Sequence, residues 1–168
     1  MRRIIVVGVG SPYGDDSLGW DVVRQLRLHP KIQQLPSQDV VIQCADRPGI
    51  DLLNIINQTN TAVIIDAAVS EFPPGTITRL EKDDINTLLK NTSSHDFGVL
   101  ETIALGKALN HLPDQIIILG ITVGPENITQ NDFGQKKLSL SKDHMNHFIN
   151  IIIEELENLL SKEISYDA

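Results

Sequence analysis

A chain of 168 residues, 41% hydrophobic and 21% charged, carries enough apolar side chain for one buried core and has no compositional mark of disorder, collagen or a disulfide scaffold. Fourteen Lys and Arg against 22 Asp and Glu leave a net charge of -8, which argues against nucleic acid and anionic membrane surfaces as partners. The single cysteine, Cys44, can form neither an internal disulfide nor a multi-thiolate metal site. The apolar run after Met1-Arg2-Arg3 is too short for a signal peptide, and none approaches the roughly 18 residues of a membrane span. One cytoplasmic domain over residues 1–168, working as a monomer, is the expectation.

Ile4 to Gly8 is a β-branched run ending in glycine, the pattern of a strand covered on both faces. After the Gly10 to Gly14 loop, Asp15 or Asp16 can cap a helix with Leu18, Val22, Val23 and Leu26 at helical spacing, and Pro30 lies just past its end. Val40 to Gln43 reads as strand two, Ile50 to Ile56 as a short helix after Pro48-Gly49, and Ala62 to Ile65 as strand three. Pro73-Pro74-Gly75 marks a turn into Thr76 to Leu80, a hairpin-like edge strand with one wet face. Asp83-Asp84 can cap a short helix through Leu89. Beyond a polar loop, Ser94 or Asp96 can cap a helix running to about Asn110. Ile116 to Leu119 is a further apolar strand, Gly124 to Lys137 is polar, and Ser141 to Leu160 is an amphipathic helix.

β-branched strands alternating with helices predict a single three-layer α/β/α domain with a mostly parallel central sheet. Ligand sites in such sheets lie at the carboxyl ends of strands, here the loops after Gly8, Ile65 and Leu119.

The Gly8 to Gly14 loop superficially suggests phosphate binding, but Tyr13 stands where a dinucleotide fingerprint needs its third glycine, and Asp15-Asp16 would repel a pyrophosphate. Asp46, after strand two, keeps a ribose-binding role open. Of the adjacent Asp15 and Asp16, one can cap the helix while the other faces a cleft. Asp66 ends a buried strand with a carboxylate, which is costly unless paired, solvated or bound to a cation. His95 sits on a polar loop that opens an apolar helix. His29 and His111 fall near helix ends, and His144 and His147 share an i, i+3 face that reads as solvated. Two carboxylates and an imidazole make an O,O,N set suited to nickel, zinc, manganese or iron with positions left open. Without metal the same groups can act as a general acid-base set. A metal-dependent small-molecule hydrolase and a non-catalytic nucleotide-binding module therefore both remain open.

In order, the chain carries GVGSPYGDDSLG at 8–19, IIDA at 64–67, SSHDFG at 93–98 and ILGITVGP at 118–125. Together these motifs resemble the nickel-iron hydrogenase maturation endopeptidases. The resemblance implies removal of a short C-terminal peptide from the hydrogenase large-subunit precursor. It also implies that Asp16, Asp66 and His95 contact nickel already carried by that precursor, another divalent metal being possible. The chain departs from the family in having Ser11 in place of the usual asparagine and one residue fewer before the acidic pair. Such a shortening can displace Asp16 by up to about 3.5 Å.

Overall fold

The computed structural model describes residues 4–70, 72–85, 98–123 and 142–166. Five strands form one sheet: β1 (Ile4–Gly10), β2 (Val40–Asp46), β3 (Thr61–Val69), β4 (Ile77–Glu81) and β5 (Gln115–Val123). Their order is β2-β1-β3-β5-β4. β1 runs parallel to both β2 and β3, and β3 parallel to β5, while β4 is antiparallel to β5 at the edge. The helices are α1 (Leu18–Leu28), α2 (Pro30–Gln33), α3 (Asp51–Ile56), α4 (Val99–Ala108) and α5 (Lys142–Tyr166), with a 3₁₀ turn at Gly14–Ser17 ahead of α1.

The alternation of side chains along each strand builds two cores. Ile4, Val6, Val63, Ile65, Ile117 and Leu119 point to one face, where α1 lays down Leu18, Val22, Val23 and Leu26 and α5 lays down Phe148, Ile152 and Leu156. Ile5, Val7, Ala62, Ile64, Ile116 and Ile118 point to the other, covered by Leu52, Leu53 and Ile56 of α3 and Ile103 of α4. This is the expected three-layer α/β/α arrangement, and β1, β3 and β5, covered on both faces, read as continuous apolar runs. Among the described residues no helix is long and apolar enough to cross a membrane.

Several local expectations are revised. β2 and β3 extend to Asp46 and Val69, well past their apolar runs, because the neighbouring strands keep pairing with their backbones. β4 is an edge strand, but its partner is β5, not the preceding β3, so no β3–β4 hairpin forms. Pro30 does not merely follow α1: it opens α2 as a first-turn residue, capped by His29, whose Nδ1 accepts from the Lys31 N–H. Neither Asp15 nor Asp16 takes the N-cap position of α1. Both fall within the 3₁₀ turn, and Ser17 stands at the N-cap. α4 starts from Gly98 in extended conformation, so Ser94 and Asp96 are not its caps. The helix expected through Leu89, the loop at 91–94 and the polar stretch at 124–137 lie outside the described residues, apart from Asp83 to Ile85 at the start of the first. There Asp84 Oδ2 accepts from the Glu81 N–H at 2.8 Å. Cys44 is a free thiol, half-buried against the α1 side of the core.

Candidate functional site

The strand order fixes where a cleft must open. From β1 the chain passes over one face to β2, and from β2 over the opposite face to β3, which lies on the other side of β1. The loops leaving β1 and β3 therefore diverge, and a crevice forms between their carboxyl ends. A cleft of about 490 Å³ lies there, walled by Val9 and Gly10 of β1, Asp16, the Arg47-Pro48-Gly49 turn after β2, Asp66 of β3, and Gly98, Val99 and Thr102 at the start of α4.

Glycine brings the first carboxylate in. A Cβ on Gly10, whose φ is +150°, would collide with the Asp16 carbonyl oxygen, and that carbonyl accepts from the Ser11 N–H at 3.2 Å. The loop thus folds back on itself and carries the exposed Asp16 to the cleft wall. Gly8 and Gly19 serve the same end one layer down. A Cβ on Gly8 would collide with the Gly19 carbonyl, and one on Gly19 would meet the carbonyls of Val9 and Ile65 at 2.6 and 2.7 Å. The start of α1 lies directly on β1 and β3. These glycines pack helix against sheet.

Asp66 enters from the sheet itself. It pairs with Gly120 of β5 in register, one residue beyond the Gly8–Ile65 pair of β1 and β3. Removal from water and the nearby charge of Asp16 push its pKa up from 3.8 to about 7, against the opposing effect of the Ala67 backbone N–H. The expected convergence of Asp16 and Asp66 is therefore present, and the one-residue shortening of the first loop has not carried Asp16 out of the cleft. His95 lies outside the described residues, but Gly98 and Val99, three and four residues on, line the same cleft. Two carboxylate oxygens whose charges disfavour each other suit a cation between them. Among the described residues no group of three or more His, Cys, Asp and Glu forms a metal cluster, so a metal held here needs a donor beyond Asp16 and Asp66.

The remaining sequence candidates fall elsewhere. Asp46 ion-pairs with Arg47. His144 and His147 are exposed on α5. His111 lies against Asn57, its two ring nitrogens each 3.2 Å from Asn57 Nδ2. Sequence reasoning singles out Asp46 at the end of β2 but misses Arg47 and the turn that follows it, although the rule that sites gather at strand carboxyl ends applies to β2 as much as to β1 and β3. The Arg47 N–H donates to the Gly10 carbonyl at 2.9 Å, tying the two loops together. The hydrogen bond to Asp46 and that residue's charge, and more weakly the charge of Asp16, push the Arg47 pKa up.

The profile of the hydrogenase maturation protease family matches residues 45–155, a span that includes Asp66 and His95 and begins after Asp16. A hydrogenase expression/formation protein HupD of Thiocapsa roseopersicina is 27% identical over 157 residues, covering 92% of this chain and 67% of that protein. HupD of Rhizobium leguminosarum bv. viciae is 27% identical over 121 residues, 70% of this chain and 58% of that protein, so the chain spans roughly three fifths to two thirds of these relatives' length. Two solved structures share the fold. The [NiFe] hydrogenase maturation protease HycI from Thermococcus kodakarensis KOD1 has a TM-score of 0.67 at 22% identity, covering 92% of each chain. The hydrogenase maturating endopeptidase HybD from E. coli has a TM-score of 0.64 at 21% identity, covering 96% of this chain and 93% of that one.

Proposed function

The chain belongs to the hydrogenase maturation protease family, and from that premise we propose that it is the endopeptidase that removes a C-terminal peptide from a nickel-loaded hydrogenase large-subunit precursor. The observation that carries this reading is the meeting of Asp16 and Asp66 in the cleft between the carboxyl ends of β1 and β3. A solitary desolvated carboxylate would be a liability there. A pair of them is a receptor for a cation, and the substrate supplies one. Asp16, Asp66 and His95 contact the nickel of the precursor, which is substrate and not a resident cofactor, and thereby report whether metal insertion is complete.

Contact with the metal fixes the adjacent peptide bond in the cleft. A water adds to its carbonyl carbon, the C–N bond breaks, and the water's protons pass to the leaving amine and to solvent. Holding the reacting groups in place contributes several kcal/mol, about 7–11 in ideal intramolecular reactions. On this reading the protein acts in the cytoplasm as a monomer and meets its precursor through the rim of the cleft.

His95→Ala and Asp66→Asn are expected to abolish processing of loaded precursor while leaving the circular-dichroism spectrum intact. Normal cleavage by both variants would remove the site from the reaction.

A further inference from the structure

Two non-glycine residues among those described have positive φ, Asn110 at 52° and Arg47 at 39°. Asn110 follows the last turn of α4, where asparagine ordinarily takes this conformation. Arg47 has no such excuse. It is a long side chain in the left-handed region, and it precedes Pro48, a position that sterically favours extended backbone. A glycine here would meet the same backbone demand without strain.

The strained backbone aims a cation at the mouth of the site. Arg47 is the only Lys or Arg among the described residues lining the cleft that holds Asp16 and Asp66. Its side chain is 67% exposed. The one hydrogen bond described for its guanidinium runs from Nε to Asp46 Oδ1 at 3.0 Å, and Asp46 is itself 51% exposed. An ion pair so open to water holds its members weakly and exchanges readily for a better partner. The planar fork of terminal nitrogens matches a carboxylate in bidentate fashion. The backbone N–H of Arg47, meanwhile, donates to the Gly10 carbonyl, so the residue is anchored at its root, and among the described residues its two terminal guanidinium nitrogens carry no hydrogen bond.

We propose that Arg47 is a substrate-binding residue that takes a carboxylate of the precursor segment lying across the cleft, setting its register while Asp16 and Asp66 face the metal. The carboxylate is either an acidic side chain of that segment or the free C-terminus of the chain. This proposal rests on the proteolytic reading above.

The test uses the intact protein and nickel-loaded precursor. KM and kcat are measured for wild type, Arg47→Gly and Arg47→Lys on three substrates: unaltered precursor, precursor with the acidic side chains of the excised peptide changed to amides, and precursor with an amidated C-terminus. Arg47→Gly should raise KM on unaltered precursor about tenfold or more, exceeding any fall in kcat, with partial recovery in Arg47→Lys. The penalty should vanish on whichever substrate lacks the partner carboxylate, which identifies its source. Melting temperature separates a structural role, since Arg47→Gly should melt no lower than wild type if the backbone is strained. An unchanged KM, a penalty that persists on both neutralised substrates, or a lower melting temperature accompanied by equal losses on every substrate overturns the proposal while leaving the proteolytic reading in place. A wild type that cuts no precursor overturns both.

Discussion

Asp66 is a carboxyl group whose protonation the fold favours, and its effect on stability can be measured without substrate. An unfolded Asp66 titrates near 4 and the folded one near 7, so between those values the native state holds the extra proton. Its contribution to stability is fully present below about pH 4 and is lost as pH rises through about 7, a loss of up to about 4 kcal/mol. Asp66→Asn keeps the shape and drops the charge. Urea unfolding should therefore find the variant more stable than wild type at pH 8 by an amount approaching that loss, and equal to it at pH 4. A variant no more stable at pH 8 would mean that the carboxylate is already well solvated or paired. On the proposed function the same substitution should remove processing, so that stability and activity move in opposite directions. Asp66 is legible in the sequence because a carboxylate closing a run of Ala62 to Ile65 breaks the pattern of its own strand. Asp16 is legible as one of a pair, and its orientation only from the fold. Arg47 is not, because no residue-level signal marks an arginine for a left-handed backbone.

At the scale of elements, the site depends on how closely α1 approaches the sheet. Gly8 and Gly19 face each other across that contact, where any Cβ would strike main-chain oxygen that cannot swing aside as a side chain can. Gly19→Ala should cost about 1–3 kcal/mol or more in urea unfolding, and should lower processing further by displacing the turn that bears Asp16. A Gly19→Ala variant as stable and as active as wild type would show that the helix can lift without consequence. The far edge is tied differently. Arg79 of β4 donates through Nε and Nη2 to the two carboxylate oxygens of Glu155 on α5, at 2.8 and 3.0 Å, which fastens the antiparallel strand to the helix across it. The core strands and the long helices can be read from periodicity, since their burial follows from side-chain spacing alone. The strand ends cannot, because Cys44 to Asp46 and Asp66 to Val69 are extended by partners distant in sequence. For the same reason β4 is recognisable as an edge while its neighbour is not: β5 inserts between it and β3.

For the molecule as a whole, the strand order turns a list of separated residues into one place. Asp16 and Asp66 are 50 positions apart in the chain, and nothing in that spacing brings them together. The divergence of the chain on either side of β1 does, by opening a crevice walled by the loops after β1 and β2, Asp66 of β3 and the start of α4. The general location is therefore implied by the α/β pattern, whereas the wall contributed by Arg47 and the start of α4 requires the topology. On the proposed function, this cleft inspects a metal carried by its protein substrate before cutting. That inspection is tested most directly by incubating the protein with nickel-loaded and nickel-free hydrogenase large-subunit precursor and following the precursor's mass. Loss of a C-terminal peptide from the loaded form and an unchanged mass for the nickel-free form are expected; equally efficient cleavage of both would show that the bound metal is not what the cleft reads.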